Sequence, residues 1–272
     1  MFLLEIFSHE FITNALIVGL FTAVSTAILG NFVVAARQTM TSGMLAHTAL
    51  VGVGLGIFWQ IEPTILVFGT TVIFALLLWW GTRKSEQAPE ALSMLMISTG
   101  LALTLLLVHL NKNNPIALDT YLFGSILTVI KTEMYTFVLL NILITFVLIY
   151  FWKPLTTLVF DKDFLQTKPY RIFYEIIFML AIAFVVGIGL KIIGGLLIGG
   201  LLVIPVLAAR VFSGSFRVNV WISIVVNVLG VSTGIISSFY FDIPTSSGII
   251  LVLVSIFILM KLTRVIRGLF KK

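Results

Sequence analysis

Charged residues are scarce in this 272-residue chain: they make up 10% of it, whereas hydrophobic residues make up 60%. A soluble globular domain carries about a quarter charged residues, so most of this chain does not face water. A transmembrane helix takes roughly 20 apolar residues, so nine of them would use about 180 and leave about 10 for each connection. No room remains for a soluble catalytic or nucleotide-binding domain. We therefore predict a polytopic membrane protein with a single transmembrane domain, residues 1–272.

Other absences exclude further classes. The chain has no cysteine, which rules out disulfide frameworks, thiol catalysis and Cys-ligated metal centres. It has no Walker A sequence and no HExxH motif, so neither a P-loop for ATP nor a zinc metalloprotease site is expected. The apolar runs contain almost none of the ionisable groups that secondary transporters use for coupling. The formal charge of +6 comes from basic residues at the ends of these runs, which indicates membrane topology rather than nucleic-acid binding.

The chain contains nine apolar runs that fit membrane-crossing helices. Runs of this length differ from the alternating strands of a porin, so the predicted fold class is all-α with eight or nine transmembrane helices. Eight spans remain possible if the short, Gly-rich second run is not a full crossing. We place the spans at residues 11–36, 44–59, 63–81, 91–110, 133–152, 173–190, 193–212, 218–239 and 245–263.

The basic residues predict the orientation of the chain. With the N-terminus outside and nine crossings, the inside segments hold 14 of the 17 Lys and Arg residues, all except Lys112, Lys131 and Lys191. This bias follows the positive-inside rule and places segment 153–171 and the C-terminus in the cytoplasm. All five tryptophans lie at span ends, as an aromatic belt in contact with membrane lipid requires. They are Trp59, Trp79, Trp80, Trp152 and Trp221.

His47 lies a few residues inside the second span and has two interpretations. It is an interfacial histidine whose neutral ring is hydrogen-bonded to a helix carbonyl, or it is a transient ligand on a transport path. Imidazole suits Zn²⁺, Mn²⁺ and Fe²⁺, and the nearby polar residues Asn31, Ser42 and Thr48 are candidates to support it. Without a carboxylate or thiol partner such a site would be weak, which suits passage of an ion better than its storage.

Two glycine pairs predict close packing of helices. Gly52 with Gly56, and Gly195 with Gly199, both have the GxxxG spacing that lets helix backbones approach each other. Packing alone explains these glycines better than any direct chemistry does.

Segment 153–171 is the longest connection predicted to be cytoplasmic, and it is long enough for a short helix. Asp161 or Asp163 could cap that helix or favour its N-terminal end. A solvated loop is one interpretation of the segment. The other is a docking helix for a cytoplasmic partner, with Phe160 and Phe164, four residues apart, as an anchor pair on one face.

Four stretches of the chain, in the same order and at similar spacing, resemble the membrane permease of zinc, manganese and iron ABC importers. Residues 190–210 are similar to that family's LKVVGxLLVxALLIIPAATAR segment, and residues 240–248 to its DLPSGA turn before the last helix. Residues 152–161 resemble the lead-in to its coupling segment, and residues 122–127 its LFGDIL element. The resemblance as a whole runs over essentially the entire length of the chain, on the same topology.

The resemblance implies a type II ABC importer-like fold in a homodimer of permeases. It further implies a cytoplasmic ABC ATPase, which binds ATP, and an extracytoplasmic metal-binding protein that delivers a divalent metal ion. The chain itself would need no cofactor, and segment 153–171 would dock the ATPase. Pro205, Pro244 and Gly248 fall in the matching stretches and are expected to shape helix packing.

One stretch departs from the family pattern. The second-span signature GDALSHAxLPG has an Asp and a His four residues apart, whereas residues 42–52 keep His47 and Gly52 but have Gly43 and Val51 at the aspartate and proline positions. The change removes the hard oxygen ligand that Mn²⁺ favours. The metal preference then differs, or the ligand comes from elsewhere, or the cargo is a metal chelate or other small solute. A stand-alone secondary carrier or channel is a further hypothesis. It is disfavoured because the apolar runs lack the charged residues that secondary carriers use for coupling.

Overall fold

The computed structural model describes residues 10–84, 89–111, 121, 124, 129, 131–161 and 170–269. This part of the chain forms helices and contains no strand, which confirms the all-α prediction. The helices are α1 (Glu10–Ala35), α2 (Thr39–Trp59), α3 (Pro63–Lys84), α4 (Pro89–Leu110), α5 (Lys131–Tyr150), α6 (Trp152–Phe160), α7 (Arg171–Ile192), α8 (Gly195–Ala209), α9 (Phe216–Phe241) and α10 (Thr245–Leu269).

Eight of the ten helices in the described part are long and apolar enough to cross a membrane. The Gly-rich second run is one of them, because α2 extends over 21 residues. The other two helices are α6, with nine residues, and α8, with 15. Helix α8 is short because Gly194, at a φ of 97°, breaks the chain before it, and because the turn after Ala209 leads to Ser215, which caps α9.

The start of α1 marks one end of the bundle, which we call the Glu10 end. The Glu10 carboxylate at the start of α1 forms an ion pair of 2.9 Å with Lys131 at the start of α5, so these two helices run parallel. The tight turn after α1 makes α2 return toward the same end. Asn111, just after α4, donates a hydrogen bond there to the carbonyl of Ile57 near the end of α2.

The opposite end carries most of the basic residues and is called the basic end. The rings of Phe32, Trp152 and Phe216 pack with centroids 5.1 to 5.7 Å apart, so the end of α1 meets the starts of α6 and α9. Arg267, in the last turns of α10, lies over the ring of Phe212 at 5.8 Å. Six further basic residues line cavities or turns at this end: Arg37, Arg83, Lys153, Arg171, Arg210 and Arg217.

The centre of the bundle is formed by α1, α2 and α8, and the rim by α4 and α10. In α1 and α2, 78% of the membrane-length window is buried, against 17% in α4 and 11% in α10. The short α8 contacts α1, α2, α9 and α10. Because the rim helices are as apolar as the central ones, their outward faces suit lipid rather than water.

Candidate transport path and docking surface

One stripe of α2 is open along a helix that is otherwise buried. Met40, Gly43, His47 and Phe58 are partly or fully exposed, while most of the intervening residues pack against α3, α4, α7 and α8. Their spacing of three, four and eleven residues puts them on one face of a helix with 3.6 residues per turn. A Cβ on Gly43 would meet no atom within 4 Å. The space one turn before His47 is therefore open with respect to the described residues.

The ring of His47 is half-buried and faces this open stripe. Within the described residues it has no hydrogen-bond partner, so both ring nitrogens are available to a ligand. The same part of the chain holds no group of three or more His, Cys, Asp and Glu side chains that could bind a metal ion. The arrangement suits brief contact with a passing cation, because a single neutral imidazole is a weak site.

The structure does not bring the three expected supporting side chains to this stripe. Asn31 is buried in α1 and accepts a hydrogen bond of 2.5 Å from Asn219. Ser42 and Thr48 are buried, and each donates to a carbonyl of its own helix. The helical period explains this result, because at about 100° per residue Ser42 and Thr48 point well away from His47, whereas Gly43 shares its face.

The glycines expected to allow close packing fall into two groups. A Cβ on Gly52 or Gly56 would come within 2.6 or 2.8 Å of atoms of α3, so these two residues let α2 and α3 approach. A Cβ on Gly195 would lie 2.9 Å from a side chain of α7. Gly199 makes no such contact with the residues that the structure describes, since a Cβ there would find none of their atoms within 4 Å. Toward those residues, this turn of α8 faces open space.

Gly248 and Pro244, which belong to the family-like stretch 240–248, have different roles near the start of α10. Gly248 packs closely, because a Cβ there would lie 3.0 Å from the carbonyl oxygen of Gly234 in α9. Pro244 is exposed and precedes α10, where its carbonyl accepts the Gly248 N–H at 3.1 Å. Pro244 thus starts the helix rather than packing between helices, as expected of a residue with fixed φ and no N–H.

A ladder of buried amide and hydroxyl groups connects α1 to α5 and α9 by hydrogen bonds. It was not predicted from the sequence. Unpaired polar groups are costly in hydrocarbon, so asparagines inside apolar runs were the signal that could have indicated it. We call these residues the amide ladder. Its pairs are Ser25 with Asn141, Thr26 with Asn227, and Asn31 with Asn219, at 2.6, 2.9 and 2.5 Å.

Pro205 sits inside α8 and connects that helix to the amide ladder. Proline has no N–H, so it leaves the carbonyl four residues earlier, that of Leu201, without its helical partner. The side-chain Nδ2 of Asn227 donates to this carbonyl at 3.4 Å. The break in α8 is thus stabilised by a neighbouring helix, while Oδ1 of Asn227 remains buried without a partner among the described residues.

The first half of the expected docking segment is α6, at the basic end. Phe160 is 59% exposed and lies edge-on to Phe216 at 5.2 Å. Asp161 follows the last residue of α6 and so stands at its C-terminal end, not at the N-terminal end. Asp163 and Phe164 lie outside the described residues, so the anchor pair and the capping of a following helix stay predictions.

These features define a class of protein. It is a multi-pass helical membrane protein with an open, glycine-bearing stripe on a central helix and an exposed short helix at one end. This combination is typical of the membrane subunit of a transporter.

The chain belongs to the ABC 3 transport family, whose model matches residues 8–264. It is 29% identical over 251 residues to the high-affinity zinc uptake system membrane protein ZnuB of Haemophilus influenzae, covering 92% of this chain and 96% of that protein. It is 21% identical over 257 residues to the manganese transport system membrane protein MntC of Halalkalibacterium halodurans, covering 94% and 88%. Its fold is similar to that of a chain in PsaBC from Streptococcus pneumoniae in complex with Fab, with a TM-score of 0.84, 22% identity and coverage of 95% and 94%. The comparisons confirm the resemblance indicated by the four sequence stretches.

Proposed function

We propose that this chain is the membrane-spanning permease subunit of an ATP-binding cassette importer for Zn²⁺, Mn²⁺ or Fe²⁺. The observation that carries the proposal is the family match over residues 8–264. Relatives that align over nearly their whole length are named for zinc uptake and manganese transport. The cargo is therefore a divalent transition metal ion, which the chain passes on and does not keep.

In this proposal the open stripe of α2 lines the transport path. His47 offers an imidazole to the ion, and Gly43 leaves room beside it. Gly199 of α8 is open as well, and α8 packs against α2. The two open glycines suggest that the path is completed by a second copy of the chain, as a homodimer would do.

The driving force comes from a separate cytoplasmic ATPase. The chain has no P-loop sequence, and the exposed α6 provides a surface on which a cytoplasmic subunit can dock. An extracytoplasmic metal-binding protein would deliver the ion at the Glu10 end. The basic end then faces the cytoplasm, because Lys and Arg accumulate on that side of a bacterial inner membrane, and the C-terminus lies there too.

A metal chelate is the second candidate cargo, and Gly43 favours it. The family signature has a carboxylate at this position, whereas a chelate brings its own ligands and needs space instead. Wild-type uptake of the chelate, with no uptake of the free ion, would identify this case.

The test is transport in proteoliposomes that contain this chain, a cognate ABC ATPase and a cognate metal-binding protein. We expect ATP-dependent uptake of at least one of the three metal ions. We also expect His47→Ala to lower the rate about tenfold, the effect of losing roughly 1.4 kcal/mol of ligand interaction. ATPase assembly should be unchanged, and His109→Ala, an exposed histidine of α4, is the matched control.

Two outcomes would contradict the proposal. Absence of ATP-dependent uptake for all three ions would refute the assignment of a divalent transition metal ion as the cargo. Wild-type uptake by His47→Ala would show that this ring is an interfacial residue and not part of the path.

A further inference from the structure

A cavity of about 180 Å³ at the basic end is distinct from the open stripe of α2. Its walls come from the turn between α1 and α2, the end of α3, α6 and the first turns of α7. Leu158 and Val159 of α6 and Phe178 of α7 form its apolar side. Its polar lining is formed by Gln38, Trp79, Arg83, Arg171 and Glu175.

Glu175 organises the charges of this cavity. Its Oε1 accepts a bond of 2.6 Å from Nε of Arg171, and its Oε2 accepts one of 3.0 Å from the Trp79 ring N–H. Arg83 places its Nε 3.5 Å from Oε2. A guanidinium has five N–H donors, and both arginines face Glu175 through Nε. Among the described residues their terminal nitrogens are left for another acceptor, and Arg83, Arg171 and Glu175 together carry a net charge of +1.

Gln38 contributes a hydrogen-bond acceptor, whereas the arginines contribute donors. Its side-chain carbonyl Oε1 is buried and has no hydrogen-bond partner among the described residues. A buried acceptor left in this state is costly, and Gln38 is one of the residues that line the cavity. The cavity therefore presents guanidinium donors to an anion, and its wall holds an amide oxygen that still needs an O–H or N–H donor.

The level of the cavity indicates where such a ligand comes from. The membrane-length window of α3 ends at Arg83, and that of α7 begins at Arg171. These are the depths at which lipid headgroups meet the hydrocarbon. Trp79 lines the cavity and Trp80, 54% exposed, lies next to it, as expected for tryptophans in the interfacial layer.

We propose that this cavity binds the headgroup of a glycerophospholipid. The phosphodiester pairs with the free guanidinium nitrogens of Arg83 and Arg171, which suit phosphate oxygens. The ammonium or hydroxyl group of the same headgroup donates to Oε1 of Gln38. This is the shared chemistry of phosphatidylethanolamine and phosphatidylglycerol. Because α6 forms one wall, a bound lipid holds the docking helix against α3 and α7.

The experiment measures the thermal unfolding midpoint of the purified, delipidated chain in detergent after addition of defined lipids. Phosphatidylethanolamine or phosphatidylglycerol should raise the midpoint by about 2–5 °C at saturation. Phosphatidylcholine should raise it less, since its trimethylammonium group has no N–H to donate. Inorganic phosphate and glycerophosphoethanolamine test for a soluble ligand, and an equal shift with either would overturn the lipid assignment.

Three variants locate the effect. Arg83→Met should abolish the shift, and Gln38→Met should remove the difference between phosphatidylethanolamine and phosphatidylcholine. Arg217→Met, an exposed arginine of the same end that does not line this cavity, should respond like the wild type. If Arg83→Met does not fold, Gln38→Met still decides the result. An unchanged lipid preference in Gln38→Met would refute the proposal, whether or not the chain transports metal.

Discussion

Restoring the missing carboxylate at position 43 is the sharpest test of the open stripe. Gly43→Asp places an acid one helical turn before His47 on the same face. A Cβ there meets no described atom within 4 Å, so the first atom of the side chain fits without displacing a neighbour. Asp is also a slightly better helix former than Gly.

The electrostatic cost of this change is moderate. A carboxylate at the centre of a membrane helix costs about 2.5–3.5 kcal/mol on insertion scales, and less toward the ends. Position 43 is the fifth residue of α2, so it lies near one end of the span, where a charge costs less than at the centre. We therefore expect the variant to fold and to reach the membrane at close to the wild-type level.

The expected result is a change in metal preference. A charged oxygen ligand is worth about 1.5–3 kcal/mol in a hydrogen bond or ion contact, and oxygen ligands favour Mn²⁺ over Zn²⁺ relative to imidazole. The ratio of Mn²⁺ to Zn²⁺ uptake in competition should rise about tenfold, since 1.4 kcal/mol corresponds to a factor of ten. Gly43→Ala, which fills the same space without a ligand, should leave the ratio unchanged. An unchanged ratio in Gly43→Asp at normal protein level would show that the ion does not pass this stripe.

Two further predictions concern packing and are checked by unfolding the purified chain in mixed micelles with SDS. Gly30→Ala should lower the free energy of unfolding by about 1–3 kcal/mol or more, because the new Cβ overlaps the Leu202 carbonyl. Gly199→Ala should leave the free energy of unfolding unchanged or raise it by up to about 1 kcal/mol. Equal effects of the two would contradict the assigned contacts. Asn227→Leu should cost about 1 kcal/mol, since interhelical bonds in membranes average about 0.6 kcal/mol, and should cost less in a Pro205→Ala background, where the Leu201 carbonyl regains its helical N–H. The same loss in both backgrounds would mean that Asn227 does not compensate for the proline.

Much of the fold was predictable because hydropathy alone locates membrane helices. The apolar runs predicted the long helices to within a few residues, and helical period alone puts Gly43 and His47 on one face. Period also separates Ser42 and Thr48 from that face, so the sequence already held the information that they lie away from His47.

The remaining features depend on contacts between distant parts of the chain. Asn31 is buried because Asn219, 188 residues later, is its partner, and no local pattern reveals that pairing. The early end of α8 depends on a positive φ at Gly194 and on the cap at Ser215. The cavity depends on the contact between Glu175 and Trp79, which are 96 residues apart. In the sequence, its charged residues therefore resemble the charges found at the ends of any membrane span.

The length of α8 has a consequence for the energy of a cation that moves beside it. Fifteen residues rise about 22 Å, whereas the hydrocarbon layer is about 30 Å thick. A layer of that thickness extends past both ends of α8, so the polar backbone groups of the flanking turns lie at the depth of the hydrocarbon. If the cation follows the path proposed above, these groups shorten the distance over which it lacks polar partners, and its dehydration barrier is correspondingly narrower than the one the full bilayer imposes.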